Sequence, residues 1–232
     1  MIKGISKYEQ FKVVRTLFGE HKTDMFEMPV IKAVHESEIT IDKIEPLNFK
    51  NLSKKHNNQN KLMLGFNYDS ELLRLWNEPL KYVGLLQSCG ALCTPDYSVY
   101  ASMNKNDIQH NIYQNRWLGC LWQDYGCTVI PTISWATEET YDICFSGAEQ
   151  GGIVIISTLG CTDNTDIFMA GFDEMKKRLK PSLIIVYGKW LDGMSGRFIH
   201  YDYKDAFNKA TDCYEQLELF AKSSIFEVKR GA

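Results

Sequence analysis

Three short apolar segments in the second half of the chain each end at a small polar residue. They span residues 128–135, 152–160 and 183–188, and polar or amphipathic stretches separate them. Strands of a parallel sheet have this appearance, because helices cover both of their faces and the strands become continuously apolar. The pattern therefore predicts an α/β domain with a mostly parallel sheet flanked by helices. Such sheets bind ligands at the carboxyl ends of their strands, so the pattern also indicates where a site would lie.

The stretches between the strands have the features of helices. Residues 107–125 carry apolar side chains at helical spacing and are followed by Gly126, which suits a C-terminal cap. Residues 164–179 have acids in their early turns and bases in their late turns, which favours the helix dipole. The same reasoning predicts further elements, which are strands at 62–66 and 82–89, a helix from Asp69 to before Pro79, and a last helix at 203–222 capped by Asp202.

The last unit of the pattern is irregular. Residues 189–197 are too few for a crossover helix and contain the turn signals Asp192-Gly193 and Ser195-Gly196. We therefore expect residues 198–203 to form a final strand reached by a turn, which would make the sheet mixed at one edge. An incomplete (β/α) barrel is the alternative to an open layered sheet, because sequence spacing does not report closure.

The first 60 residues lack this regularity. We interpret residues 1–60 as an irregular N-terminal extension packed on or next to the core, and residues 61–232 as the α/β core domain. Residues 28–34 have the composition of a strand. Residues 46–60 are polar, rich in asparagine and locally basic, which predicts an exposed loop that is either a solvated connection or a functional arm.

Composition narrows the classes of function. The formal net charge is −3, and acidic and basic residues are well mixed, without the long basic run that would attract nucleic acid or anionic lipid. A local basic groove is still compatible with this composition. Seven cysteines lie scattered rather than at framework spacings, which predicts a reduced, cytoplasmic protein. No apolar stretch is long enough to span a membrane. The five histidines form no ligand spacing with the cysteines, so we expect no metal site.

Candidate site residues follow the predicted strands. If the strands are parallel, these side chains meet at one edge. Asp96 and Ser134 are the candidate catalytic residues, with Asp96 as the acid or base. The candidate ligand-binding residues include a basic pair that would hold an anion, Arg116 and Lys189, together with Trp135 and Thr158.

Each of these residues also has a purely structural interpretation. Asp96 has the position of a turn or helix-cap carboxylate, and Arg116 that of a surface charge or an ion-pair partner. Trp135 would be a core side chain, and Lys189 would extend its ammonium group into solvent from the sheet edge. Cys161 follows a strand where helix amides lower a thiol pKa, yet no histidine can be assigned to it, and an inert half-buried thiol is the preferred interpretation.

Several segments carry a resemblance to a known family. They are TPDYSVY at 94–100, residues 111–147 from NIYQNRWLGC onward, GGIVIISTLGC at 151–161 and LIIVYGK at 183–189. Together they resemble an uncharacterised bacterial family, the domain of unknown function DUF4417, common in phages and integrated mobile elements. The resemblance covers about residues 61–222 and is most specific at 115–135. It implies a cytoplasmic mobile-element protein of a bacterial host and supplies no activity, cofactor or catalytic residue.

Three classes of function fit these observations. The first is an accessory protein with a cleft for a nucleotide-like or phosphorylated small molecule. The second is an enzyme acting on a phosphorylated small molecule or a nucleic-acid end, although one strong carboxylate is too few for hydrolysis assisted by two metal ions. The third is a module that binds a host protein or nucleic acid, and only residues 49–61 favour nucleic acid. The sequence does not identify a cofactor.

Overall fold

The computed structural model describes residues 6–161 and 164–206, and within them every pair of neighbouring strands is parallel. One sheet has the order β1-β2-β3-β4 and the other the order β5-β6-β7. The strands are β1 Glu45–Asn48, β2 Lys61–Leu64, β3 Ala91–Cys93, β4 Val129–Ile130, β5 Ile153–Ser157, β6 Leu183–Tyr187 and β7 Phe198–Tyr201. The predicted α/β class with a mostly parallel sheet is confirmed.

Helices connect most of these strands. They are α1 Lys7–Val14, α2 Asp69–Asn77, α3 Val83–Leu86, α4 Lys105–Asp124, α5 Tyr141–Cys144 and α6 Thr165–Leu179. Short 3-10 helices lie at Glu36–Glu38, Ile41–Lys43, Phe49–Asn51, Glu138–Thr140 and Tyr203–Ala206. The predictions of α4 and α6 are confirmed, and Gly126 has the positive φ of 78° that its capping position requires. Of the last predicted helix, 203–206 form a 3-10 turn and the rest lies outside the described residues.

The two sheets are joined, and their inner faces share one core. A single parallel bridge links Thr132 to Ile155, and the amide of Ile155 donates to the carbonyl of Pro131 at 3.0 Å. Strand order therefore follows the chain through both sheets. Alternate side chains from β2 to β6 form a common apolar cluster, in which the rings of Phe66 and Tyr187 stack with centroids 4.8 Å apart.

The first and last strands of this order approach each other without closing a barrel. The hydroxyl of Tyr201 in β7 donates to the carbonyl of Ile44, just before β1, at 3.0 Å. Within the described ranges, however, no hydrogen-bond ladder joins β7 to β1, so the barrel is not closed. The outward side chains of β2 to β4 pack under α2 and α4, and those of β5 and β6 pack under α5 and α6. All carboxyl ends consequently face one end of the molecule.

The expected mixed edge is wrong, because β7 pairs with β6 in parallel register from Ile184↔Phe198 to Tyr187↔Tyr201. The reason lies in the connection between these strands. Leu191 and Met194 are buried in the outer core, so an irregular loop crosses the sheet face where a helix would normally lie. These two buried side chains pack the loop against the sheet as a crossover helix would. The chain can then begin β7 beside the start of β6.

Three further predictions of local structure are wrong. Residues 82–89 contain α3 rather than a strand, because a short apolar run fits a buried helix turn equally well. Residues 28–34 form no strand, and Ile31 makes one isolated bridge to Ala148. Residues 46–60 are not wholly an exposed loop, since their beginning forms β1, where Leu47 and Asn48 are buried. Residues 54–57 are exposed as expected. No helix in the described ranges has the length and apolar character needed to cross a membrane.

Candidate functional site

Asp96 and Ser134 form a hydrogen-bonded pair at the carboxyl end of the sheet. Asp96 follows β3 and Ser134 follows β4, and the Ser134 hydroxyl donates to a carboxylate oxygen of Asp96. Both residues are partly buried. Burial and, to a smaller extent, the carboxylate of Asp69 raise the pKa of Asp96 to about 6, against the lowering effect of the Ser134 hydroxyl. A carboxyl group with this pKa exchanges its proton near neutral pH.

The backbone around this pair continues the parallel ladder past the ends of the strands. The amide of Asp96 donates to the carbonyl of Gly65 at 3.0 Å. Side chains complete the ladder between β3 and β4: the amide of Thr132 donates to the Thr94 hydroxyl at 2.8 Å, and the Thr132 hydroxyl donates to the Thr94 carbonyl at 2.6 Å. Both threonines are buried, so these bonds fix the segments that carry Asp96 and Ser134.

Two buried residues of α4 support the same segments from the outer side of the sheet. The Asn115 amide donates to the carbonyl of Pro95 at 2.8 Å. The Arg116 guanidinium donates to the carbonyls of Thr132 at 2.9 Å, Cys144 at 2.9 Å and Ser146 at 2.8 Å, and to the side-chain oxygen of Asn115 at 2.6 Å. Arg116 is completely buried, and this burial lowers its pKa to about 10.

These contacts correct the interpretation of Arg116. It is neither a surface charge nor an ion-pair partner, because its acceptors are backbone carbonyls and an amide oxygen. They also give no support to Arg116 as an anion clamp, since an external anion cannot reach a guanidinium without exposed surface. Arg116 and Asn115 instead hold the backbone beside the Asp96–Ser134 pair.

Thr158 and Lys189 lie at the ends of β5 and β6 and contact each other through the backbone. The buried Thr158 hydroxyl donates to the Lys189 carbonyl at 2.8 Å, and its oxygen is 3.5 Å from the Tyr203 hydroxyl. Between them, Gly188 has φ of 124°, and a Cβ there would lie 2.4 Å from the Thr158 hydroxyl oxygen. The side chain of Lys189 is exposed. The structure therefore places Thr158 in an internal hydrogen bond and leaves the Lys189 ammonium group in solvent.

Trp135 belongs to the outer core and not to the carboxyl-end cluster. Its ring centroid lies 5.0 Å from that of Phe168 and 6.0 Å from that of Phe145. Trp117 and Trp122 are also buried in the core, under α2 and the N-terminal segment. The indole of Trp135 is therefore packed between the end of α5 and α6, over the outer face of the sheet.

Three residues near Asp96 were not included in the predicted site. Burial, together with the negative charge of Asp96, raises the pKa of the Cys93 and Cys161 thiols to about 12. Because the charge of Asp96 acts on both thiols, Cys161, which follows β5, lies near the ends of β3 and β4. Both thiols are protonated at neutral pH, which agrees with an inert thiol at Cys161. Asp69 is the third, and it accepts from the amide of Ser98 at 3.1 Å.

A second candidate for a ligand site is a surface cavity beside α6. A cavity of about 540 Å³ lies between residues 137–141 and α6, lined by Thr137, Glu138, Tyr141, Ile167, Ala170, Glu174, Lys177 and Arg178. Its Arg178 is paired with Glu174 at 2.7 Å and with Asp142 at 2.5 Å. None of the predicted site residues lines it. Within the described ranges, no group of three histidine, cysteine or acidic side chains is placed to hold a metal ion.

Comparison with known proteins identifies the family. The model of the family described as Domain of unknown function (DUF4417) matches residues 21–204. The chain belongs to this family. The DUF4417 match contains all seven strands of the described residues. It begins at residue 21, so it also includes a large part of the first 60 residues, which the resemblance had left outside.

The curated relatives of the chain are phage proteins. The chain is 36% identical over 118 residues to the Gene 1 protein of Mycobacterium phage D29, which is 50% of this chain and 44% of the phage protein. It is 37% identical over 117 residues to the Gene 1 protein of Mycobacterium phage L5, which is 49% of this chain and 51% of that protein. The chain thus spans about half the length of the curated relatives it matches. No solved structure matches the chain.

Proposed function

We propose that this DUF4417 protein is a phage or mobile-element accessory protein that binds a nucleotide-like small molecule at the carboxyl ends of β3, β4 and β5. The supporting observation is the hydrogen bond between Ser134 and Asp96 at the end of the sheet where parallel strands bind ligands. In this proposal the protein acts in the cytoplasm of the bacterial host, where nucleotides are available.

The rigidity of the surroundings supports a binding role. Asn115 and Arg116 fix the carbonyls of Pro95 and Thr132, so Asp96 and Ser134 are held before a ligand arrives. A preorganised site loses little conformational entropy on binding, which favours affinity. The partly buried Asp96 carboxylate keeps an acceptor available, because the Ser134 hydroxyl occupies only one of its two oxygens.

Acid–base catalysis on the same ligand is the second candidate function. The observation that favours it is the pKa of about 6 for Asp96, which burial raises and the Asp69 carboxylate raises further. A carboxyl group with this pKa can accept a proton at pH 7 and can donate one in slightly acidic conditions. Ser134 would then orient the carboxyl group, and the chemistry would need no thiolate from Cys93 or Cys161.

Native mass spectrometry and calorimetry test the proposed function. The full chain is purified, analysed for a copurified small molecule, and titrated with nucleosides and nucleotides. We expect Asp96→Asn to weaken binding by at least tenfold, because an amide nitrogen replaces one acceptor oxygen. Asp173→Asn is the matched control, since Asp173 is exposed on α6 away from the pair.

The same titrations separate the candidate functions. Loss of binding in Asp96→Asn supports the binding role, whereas retained binding with loss of turnover supports acid–base catalysis. Equal affinity in the wild type, Asp96→Asn and Asp173→Asn, without turnover in any of them, contradicts a site at Asp96. Failure of the wild type to bind any nucleoside or nucleotide, together with tight binding to a host protein, favours the host-binding alternative.

A further inference from the structure

An arginine of the N-terminal segment lies in an aromatic cleft between α2 and α4. The guanidinium carbon of Arg15 is 3.7 Å from the ring centroid of Trp76 on α2 and 5.2 Å from that of Trp117 on α4. The two indoles meet edge to face, with their centroids 5.4 Å apart. Trp76 and Trp117 thus form two walls of a cleft, here called the tryptophan cleft. The guanidinium lies over their rings, which attract a cation.

Hydrogen bonds hold the arginine from both walls of the tryptophan cleft. A guanidinium nitrogen of Arg15 donates to the Trp76 carbonyl at 2.9 Å, and the Trp117 indole N–H donates to the Arg15 carbonyl. Among the residues that the structure describes, no carboxylate forms an ion pair with Arg15. The cleft therefore binds an arginine through its planar cation and its backbone, without an acidic partner.

Two apolar side chains of the same segment accompany the arginine. Phe11 lies one helical turn before Arg15, and its ring centroid is 5.6 Å from that of Trp117. Leu17 packs against the apolar cluster that contains Trp117. An aromatic residue four positions before an arginine is a pair on one face of a helix, and such pairs anchor amphipathic helices in grooves. The cleft and its surroundings therefore fit a short helical peptide.

The segment that fills the cleft has little buried surface. None of the residues of α1 is fully buried, and Val13 is 79% exposed. Outside the cleft, the Tyr8 hydroxyl donates to the Glu78 carboxylate at 2.7 Å near the protein surface. Arg15 has φ of 57°, a left-handed conformation that is unfavourable for a residue with a side chain. Segments with few buried contacts open locally at low free-energy cost.

The family match separates the tryptophan cleft from the segment that fills it. The match to DUF4417 begins at residue 21, so it contains Trp76 and Trp117, whereas α1 and Arg15 precede it. The family domain therefore carries the cleft, and a segment before the domain supplies the occupant. When this segment opens, it uncovers Trp117, which is otherwise 1% exposed. An aromatic surface of this kind is suited to another occupant of the same chemistry.

We infer that the tryptophan cleft is a binding site for an arginine-bearing helical peptide, and that residues 7–17 are its tethered occupant. A partner with an aromatic residue four positions before an arginine displaces this segment. The partner's arginine then lies between the indoles, and its aromatic ring packs against Trp117. The inference goes beyond the proposed function, because the cleft lies in the outer layer of the fold and contains neither Asp96 nor Ser134.

Fluorescence anisotropy with a labelled peptide of residues 6–19 tests the inference. The peptide is titrated with the full wild-type chain and with a full chain that carries Phe11→Ala and Arg15→Ala. We expect this double variant to bind the peptide at least tenfold tighter than the wild type, because its tethered competitor has lost both anchors. Arg15→Ala alone, which keeps Phe11, serves the same titration if the double variant does not fold.

Variants of the peptide test the recognition of the arginine. We expect Arg15→Ala in the peptide to weaken binding to the double-variant chain by at least tenfold, since a desolvated cation loses both its aromatic contacts and its hydrogen bond. Val13→Ala in the peptide is the matched control, because Val13 is exposed on α1 and should leave the affinity unchanged. Equal binding of the wild-type peptide and the Arg15→Ala peptide would overturn the inference.

A variant of the cleft tests its location. Trp76→Leu, added to the double-variant chain, removes one wall and should weaken binding of the wild-type peptide by at least tenfold. Leu73→Ala, at an exposed position on the same helix, is the control. Unchanged affinity in Trp76→Leu would overturn the inference, and so would failure of the folded double variant to bind the peptide at all.

Hydrogen exchange at the Trp117 indole N–H separates peptide binding from a purely structural role of the segment. This N–H group donates to the Arg15 carbonyl, so opening of the segment exposes it. We expect faster exchange in the double variant than in the wild type, and slow exchange again when the wild-type peptide is added in excess. Exchange that stays fast with excess wild-type peptide would show that the segment serves only the fold, and would overturn the inference.

Discussion

The side-chain amide of Asn115 donates a hydrogen bond of 2.8 Å to the carbonyl oxygen of Pro95, the residue directly before Asp96. The next residue on α4, Arg116, donates to the carbonyl of Thr132, two residues before Ser134, at 2.9 Å. One helix turn therefore supports both segments that carry the candidate pair. The carboxyl ends of β3 and β4 determine where the candidate pair lies, and the hydrogen bonds from α4 fix its geometry.

Replacement of Asn115 by alanine should loosen this support. The variant leaves the buried Pro95 carbonyl without its donor and one Arg116 N–H group without its acceptor. We expect a loss of about 1–3 kcal/mol in the free energy of unfolding. Urea denaturation measures it. Asn106→Ala, at an exposed position on the same helix, should change stability by less than about 0.5 kcal/mol.

Replacement of Arg116 should be more damaging. Arg116→Met leaves the carbonyls of Cys144 and Ser146 without their donors and the carbonyl of Thr132 with only the 3.5 Å bond from Asn115, and we expect a loss of ~3–5 kcal/mol in unfolding free energy. Arg116→Lys should not restore stability, because one ammonium group cannot reach acceptors arranged around a planar guanidinium.

Arg197 provides the comparison for Arg116. It forms an exposed pair with Glu36 at 2.7 Å, and Arg197→Met should cost no more than about 1 kcal/mol. Equal losses in Arg116→Met and Arg197→Met, followed by chemical denaturation, would contradict the structural role of Arg116.

The stability of the protein should depend on pH through Asp96. Burial raises the pKa of this carboxyl group from the ordinary 3.8 to about 6 in the folded chain. The folded state therefore holds the proton more tightly, so the contribution is full below pH ~4 and is lost as pH rises through ~6. Asp96→Asn is neutral at every pH. It should match the wild type near pH 4 and exceed it above pH 6, by at most about 3 kcal/mol.

Chemical denaturation at several pH values measures this difference, with Asp173→Asn as the control that should show no such trend. A gain in stability on removal of a polar group is typical of functional sites, because the site is arranged for a ligand and not for the fold. An Asp96→Asn variant that is less stable than the wild type at pH 8 would show that the carboxylate serves the fold.

The N-terminal segment should separate from α4 when Asp124 is replaced. This carboxylate accepts from the amides of Phe18 at 2.9 Å and Gly19 at 3.0 Å, and from the His21 ring at 2.6 Å. Asp124→Asn weakens all three bonds, and we expect faster hydrogen exchange at the Phe18 and Gly19 amides. Asp107→Asn, exposed in the first turn of the same helix, should leave that exchange unchanged.

The elements that could be predicted are those whose apolar residues follow a clear pattern over many positions. β5, β6, α4 and α6 follow directly from the apolar runs and helical spacing, because burial of one or both faces determines those patterns. The sequence could not distinguish α3 from a strand, since a short, mostly apolar run of four residues fits either. It also could not predict the direction of β7, which depends on the packing of Leu191 and Met194 against the outer core.

The location of the candidate site could be predicted from the sequence, but only some of its residues could. Asp96 and Ser134 meet as expected because β3 and β4 are parallel neighbours. Arg116 and Trp135 were chosen for their chemistry, yet both face the outer layer, and residue type does not report the side of a sheet.

Mapping amide chemical shifts during a nucleoside titration tests the central claim most directly. The account predicts that the largest shifts occur at residues 65–69, 94–98 and 132–135, which surround the Asp96–Ser134 pair, and that they disappear in Asp96→Asn. Shifts concentrated at the cavity of Thr137, Tyr141, Glu174 and Arg178, or shifts that persist unchanged in Asp96→Asn, would contradict it.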